Sequence, residues 1–77
     1  MTTSIAVIGG GGWGTALAIT MARVHERVGL WTFESDLAET MRRDRKNPIY
    51  LDGVDIPATI QISDSVEQVL DGADIVI

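Results

Sequence analysis

Apolar positions along this chain follow two rhythms. Ile5-Ala6-Val7-Ile8 is an unbroken, β-branched-rich run, and it predicts a buried strand over Ser4–Gly9. From Trp13 to about Val24, Ala16, Leu17, Ile19, Thr20, Met21 and Val24 recur at helical spacing and give a broad apolar stripe. No glycine closes that helix, so His25 is expected at the left-handed position after it, which His tolerates better than a β-branched residue does. Val28–Trp31 reads as a second strand. Ser35 is expected to cap a second helix from about Asp36 to Arg45, with Leu37 and Met41 inward, one turn apart. Arg42, Arg43, Arg45 and Lys46 crowd its last turn, where cations complement the helix dipole, and Asn47-Pro48 stops it.

Residues 47–58 hold both prolines and one glycine and read as an irregular connection. Thr59–Ser63 is a third strand with Ile60 and Ile62 on one face. Asp64, with Glu67 three residues on, has the pattern of a capping box. Val66, Val69 and Leu70 then mark a short helix ended by Gly72, and Asp74-Ile75-Val76-Ile77 opens a fourth strand. The order β-α-β-α-β-α-β predicts an α/β fold with a parallel sheet, since helical crossovers join parallel strands. The chain stops inside an apolar strand, so the reading is residues 1–77 as the N-terminal part of a domain truncated after its fourth strand.

Composition narrows the function classes. The net charge is −5, with +1 over residues 1–33, zero over 34–47 and −6 over 48–77. No basic face remains for a nucleic-acid backbone. An anionic ligand is expected to be held by backbone dipoles, or by cations that this chain does not supply. There is no cysteine, which excludes disulfides, zinc–thiolate sites and thiol catalysis, and no metal site is expected. Met1-Thr2-Thr3-Ser4 lacks a positive leader, and no apolar run approaches the length of a membrane span, so the cytoplasm is the expected compartment.

The candidate chemistry sits between the first strand and the first helix, in Gly9-Gly10-Gly11-Gly12-Trp13-Gly14. One frame completes the dinucleotide fingerprint: Gly9-x-Gly11-x-x-Gly14. In it Gly9 allows the tight turn, Gly11 lets a pyrophosphate approach the backbone, and Gly14 lets the helix pack close to the sheet. Gly9 and Gly14 also have P-loop spacing, but Thr15-Ala16 follows where that motif needs Lys and Ser/Thr, which argues against an NTPase. The fingerprint calls for an acidic residue about 20 positions on, to bind an adenosine ribose, and Glu34 stands there. No arginine lies in residues 31–36 to meet a 2′-phosphate, so NAD is favoured over NADP. Phe33 is placed to cover an adenine face. The pattern therefore predicts a Rossmann-like βαβαβαβ sheet.

Residues 11–18, Gly-Gly-Trp-Gly-Thr-Ala-Leu-Ala, are more specific than the fingerprint. They resemble the N-terminal domain of the NAD(P)-dependent glycerol-3-phosphate dehydrogenases, whose pattern is Gly-x-Gly-x-Trp-Gly-Thr-Ala. Leu30-Trp31 and Asn47-Pro48-Ile49-Tyr50-Leu51-Asp52-Gly53 are similar to two further family segments, so the resemblance spans essentially the whole chain. It implies an oxidoreductase that interconverts dihydroxyacetone phosphate and sn-glycerol 3-phosphate for glycerophospholipid synthesis. It also implies cofactor contacts at Gly12, Trp13, Phe33, Glu34 and Tyr50, with the Gly12 and Trp13 amides on the pyrophosphate. Gly10 and Gly12 depart from the Ala and the Ser or Asn usual in the family, so a side-chain contact is lost. Phe33 and Glu34 replace the Arg or His common in bacterial members and look more like the NAD-dependent eukaryotic branch. His25 stands where glycine is frequent.

The family's catalytic lysines and phosphate-binding residues lie beyond residue 77. Lys46, the only lysine, sits among arginines at a helix end, and His25 lies at the far end of the first helix from the glycines. No catalytic residue is assigned, the catalytic C-terminal domain is expected to be absent, and the chain alone is expected to be inactive. Two other readings stand beside this one. One is a truncated module that folds, or self-associates through an exposed sheet edge, without binding nucleotide. The other is a ketopantoate- or sugar-nucleotide-type dehydrogenase, which shares the fingerprint but not Trp-Gly-Thr-Ala.

Overall fold

The computed structural model describes residues 3–77, and of Asp52 the backbone alone. Its elements are β1 (Ser4–Ile8), α1 (Gly12–Ala22), β2 (Arg27–Trp31), α2 (Ser35–Asp44), β3 (Lys46–Asn47), β4 (Leu51–Asp55), β5 (Ile60–Ser63), α3 (Val66–Leu70) and β6 (Ile75–Val76). Four strands form one sheet in the order β5-β2-β1-β6, all parallel, while β3 and β4 make a separate antiparallel pair.

Register explains how the core is layered. Ile5 lies opposite Val28, and Val28 opposite Ile60; Val7 lies opposite Leu30, and Leu30 opposite Ile62. These two apolar rows share one face and pack with Ala18 of α1 and Leu37, Ala38 and Met41 of α2. Alternation sends Gly29 to the other face. There a Cβ on Gly29 would stand 3.1 Å from a methyl of Val69 in α3, so the missing side chain lets α3 lie close. Helices thus cover both faces, as parallel strands require.

Several local expectations are corrected. Residues 47–58 are not irregular: they hold β4 and the second residue of β3, paired as a hairpin, with Lys46 opposite Asp55 and the Lys46 ammonium 2.5 Å from the Asp55 carboxylate. Helix α1 ends at Ala22, leaving Val24 exposed. It closes without a left-handed residue, because the amides of Val24 and His25 both donate to the Met21 carbonyl. The left-handed residue is instead Arg45 after α2 (φ 54°, ψ 41°), the only non-glycine with positive φ among the described residues. Its strain is offset by its guanidinium, which donates to the carbonyls of Ile56 (3.4 Å), Pro57 and Ile60 (2.7 Å) and ties the chain end of the hairpin to β5. Burial of this group lowers the Arg45 pKa from its ordinary value.

Ser35 does not cap α2 but is its first residue, following Glu34; its hydroxyl donates to Asp64 at 2.6 Å. Asp64 in turn does not cap α3. Ser65 does so, its hydroxyl accepting the Gln68 amide. The Ser35 bond holds the Asp64 carboxyl below the usual carboxylate range. No helix among the described residues is long and apolar enough to cross a membrane.

Candidate functional site

The turn from β1 to α1 is built by glycines with distinct duties. Gly9 has φ +129°, a conformation open to glycine, and its amide donates to the Trp31 carbonyl at 2.9 Å, which fastens the turn to β2. At Gly14 a Cβ would lie deep inside the carbonyl oxygen of Gly9, so glycine there sets the distance between helix and strand. Gly11 is different: it is the N-cap, in extended conformation, and a Cβ on it would meet nothing within 4 Å. The space beside Gly11 is open to a ligand.

Thr15 makes the first hydrogen bond of α1, back to Gly11 at 2.9 Å. The amides of Gly12, Trp13 and Gly14 precede it and have no acceptor one turn back within the helix. They add to the positive end of the helix dipole, which favours an anion. A cavity of about 370 Å³ adjoins this end, lined by Val7, Ile8, Gly9, Gly11, Trp13 and Ile77 among others. It lies where β1 is flanked by β2 on one side and β6 on the other, the point at which strand order reverses and at which doubly wound sheets bind ligands. A second cavity, of about 310 Å³, is lined by Ser4, Arg27, Gly29, Gln61 and Asp71 at the amino ends of the strands. That edge holds neither the glycine turn nor the open helix end.

The remaining sequence-predicted residues surround the turn. Trp13 is 83% and Phe33 74% exposed, so neither ring belongs to the core. Phe33 leans on Trp31, ring centroids 6.4 Å apart and tilted by 41°. Glu34 follows β2 as the N-cap of α2, and the Tyr50 hydroxyl donates to its Oε1 at 3.2 Å. That bond and the carboxylate charge raise the Tyr50 phenol above its ordinary pKa. The structure thus groups Gly9, Gly11, Gly12, Trp13 and Gly14 at one turn, and pairs Glu34 with Tyr50 beside it.

Asn47 entered the sequence reading as a helix stop and as part of the segment that resembles the family, with no role at the glycine turn. It is fully buried. Its Nδ2 donates to the Gly10 carbonyl at 2.7 Å and to Thr15 Oγ1 at 2.9 Å, and its Oδ1 accepts the Tyr50 amide at 3.1 Å. One side chain therefore joins the glycine turn, the first turn of α1 and the hairpin carrying Tyr50. The Thr15 hydroxyl adds a longer bond to Gly10, at 3.4 Å. The departures at Gly10 and Gly12 also acquire reasons. A Cβ on Gly10 would stand 2.6 Å from the Cβ of buried Thr32, and a Cβ on Gly12 would collide with the Tyr50 carbonyl oxygen.

A four-stranded parallel sheet of this order, with a glycine turn at its switch point, defines a Rossmann-like dinucleotide-binding fold. The family model described as the N-terminus of NAD-dependent glycerol-3-phosphate dehydrogenase matches residues 4–77, and the chain belongs to that family. A glycerol-3-phosphate dehydrogenase [NAD(P)+] of Koribacter versatilis is 43% identical over 74 residues, covering 95% of this chain and 22% of the relative. The Geobacter sulfurreducens enzyme of the same name is 38% identical over 77 residues, covering 100% and 23%. Among solved structures, glycerol-3-phosphate dehydrogenase of Coxiella burnetii superposes with TM-score 0.89 at 35% identity, over 97% of this chain and 23% of that one. The Saccharomyces cerevisiae enzyme gives 0.86 at 26% identity, over 99% and 25%. The chain spans between a fifth and a quarter of the length of these relatives.

Proposed function

We propose that this chain supplies the adenosine–pyrophosphate half of a dinucleotide site in an enzyme interconverting dihydroxyacetone phosphate and sn-glycerol 3-phosphate, with NAD preferred over NADP and the cytoplasm as its compartment. The observation that carries the reading is the open N-terminus of α1 beside Gly11, at the point where strand order reverses. The residues fit the cofactor. The amides of Gly12 and Trp13 would hold the pyrophosphate, Gly11 would leave room for it, and Gly9 and Gly14 would keep the turn and helix in place. Glu34 would accept the adenosine ribose hydroxyls, and Phe33 and Tyr50 would border the adenosine. When bound, the nicotinamide supplies hydride chemistry; the chain's own residues bind and orient.

Polarisation of a ketone needs a cation or strong donor at its oxygen. Lys46 is engaged with Asp55 on the hairpin, and His25 stands beyond the far end of α1. We therefore assign binding, not turnover, to residues 1–77, with the groups that act on substrate in the part of the relatives that this chain does not span. Isothermal titration of the 77-residue chain with NAD, at sub-millimolar to millimolar concentration, tests the reading. Saturable heat that Gly11→Val abolishes supports it. A folded chain that binds no NAD overturns it, and measurable oxidation of NADH with dihydroxyacetone phosphate overturns the assignment of binding alone.

A second reading draws on the exposed apolar side chains of Ile75 and Val76 in β6, which pairs with β1 on one side. Such an edge invites pairing with another chain. Sedimentation that shows a stable dimer indifferent to NAD, together with no heat of binding, favours a self-associating module.

A further inference from the structure

The Tyr50–Glu34 contact unites two features that the sequence presents separately. Glu34 sits at the carboxyl end of β2, where a doubly wound sheet meets an adenosine ribose. Tyr50 arrives from the β3–β4 hairpin, sixteen positions later in the chain, and reaches Glu34 Oε1 at 3.2 Å. Its backbone is not free to drift. The buried Asn47 amide holds the Tyr50 N–H at 3.1 Å, and the absence of a side chain on Gly12 lets the Tyr50 carbonyl settle against the start of α1. The phenol is thus delivered to the carboxylate by a locked backbone, although ring and carboxylate both stay within reach of solvent.

We propose that Tyr50 is a specificity-positioning residue, whose hydroxyl fixes the Glu34 carboxylate so that its remaining acceptor capacity meets an adenosine 2′-hydroxyl and its charge opposes a 2′-phosphate. The proposal rests on the dinucleotide-binding reading above. An ionised carboxylate offers about four acceptor positions over two oxygens, so the bond from Tyr50 leaves Oε2 for ribose. A phenol keeps its proton, and so its role as donor, throughout the neutral range, and Glu34 shifts the Tyr50 pKa further up. A carboxylate without this tether samples other rotamers. It then loses both the fixed acceptor that favours NAD and the fixed charge that disfavours NADP. Gly12 belongs to the same device, since a side chain there pushes Tyr50 away.

The test measures dissociation constants for NAD and NADP on the wild-type chain and on Tyr50→Phe, which keeps the ring and removes the hydroxyl. The expected result is a fall in the NAD:NADP preference of about 3- to 10-fold, the range for one solvent-accessible hydrogen bond to a charged group. Gly12→Ala is expected to lower the same ratio, and the ratio cancels its effect on the pyrophosphate, which both ligands share. A second readout needs no cofactor. Tyr50 is the only tyrosine, so the alkaline rise of tyrosinate absorbance reports it alone, and Glu34→Gln should shift that midpoint down. An unchanged ratio in Tyr50→Phe, with wild-type chain preferring NAD, overturns the specificity role and leaves the binding reading intact. Failure of the wild-type chain to bind either dinucleotide overturns both. A tyrosine midpoint that ignores Glu34→Gln overturns the contact itself.

Discussion

Replacing Asn47 with alanine should cost this chain a large part of its stability, although Asn47 is not one of the apolar core residues. The side chain is fully buried and makes three hydrogen bonds, at 2.7, 2.9 and 3.1 Å. A neutral hydrogen bond contributes about 0.5–1.5 kcal/mol net, and a buried group left unpaired costs about 1–3 kcal/mol. In Asn47→Ala the Gly10 carbonyl retains only the long bond from Thr15, and the Tyr50 amide loses its acceptor. The expected loss is about 2–4 kcal/mol. Total stability for a domain of this length is roughly 4–11 kcal/mol.

Asn47→Asp sharpens the test. It keeps the acceptor for Tyr50 but turns the donor that faces Gly10 into a charged oxygen against a carbonyl oxygen. At neutral pH it should therefore be less stable than Asn47→Ala. On acidification it should recover part of the difference, as its carboxyl gains a proton to donate. Urea unfolding followed by far-ultraviolet circular dichroism measures both variants. A loss under about 0.5 kcal/mol for Asn47→Ala, the scale of an ordinary surface change, would refute the role assigned to the buried amide. So would an Asn47→Asp chain as stable as wild type.

Three further outcomes follow from the same geometry. Gly11→Ala should leave unfolding within about 0.5 kcal/mol of wild type while weakening NAD binding, whereas Gly14→Ala, whose Cβ meets the Gly9 carbonyl, should lose about 3 kcal/mol or fail to fold; paired denaturation and titration separate them. Arg45→Gly relieves a left-handed residue, worth about 1 kcal/mol, but gives up three bonds to carbonyls, so thermal melts should show net destabilisation, smaller than that of Arg45→Ala, which gives up the same bonds and keeps the strain. Asp64 titrates below its usual range because Ser35 donates to it, so its contribution is present above the ordinary carboxylate pKa and is lost as pH falls through the lowered one; Ser35→Ala should flatten that acid limb of the stability–pH curve.

The sheet was legible because its signals are local and repeated. Ile5–Ile8, Val28–Trp31 and Ile60–Ser63 are short strand segments with a helix-forming segment between each and the next, and this order implies parallel strands; the apolar stripe expected of α1 does not contain its buried residues, which are Thr15 and Ala18. Gly9 and Gly14 were legible for the same reason, since a strand followed by glycines at that spacing and then a helix leaves few conformations open. What stayed hidden depends on partners far along the chain. The β3–β4 pair consists of a two-residue strand and one containing Gly53, with the register shifting between Lys46 and Asn47, so no period-two pattern announces it. Helix capping was misassigned at Ser35 and Asp64 because these two residues satisfy each other across α2 and β5, a bond that no window of local sequence contains.

Gly10 and Gly12 show how long-range packing changes the meaning of a residue. Within the turn alone, the resemblance leads to an expectation of a side chain at each position, and at Gly12 of a lost side-chain contact. Within the fold, the space beside Gly10 is taken by Thr32 and the space beside Gly12 by the backbone of Tyr50. Neither position is vacant; each has exchanged its own side chain for a neighbour from another element. At Gly12 that exchange brings the hairpin onto the amino end of α1, and the hairpin carries the phenol that meets Glu34. In the proposed site, the missing side chain at Gly12, on the side assigned to the pyrophosphate, is thus linked to the Tyr50–Glu34 hydrogen bond on the side assigned to the ribose. A side chain at residue 12 should therefore lower the preference for NAD over NADP through Tyr50, separately from any loss of affinity at the pyrophosphate, which both ligands share.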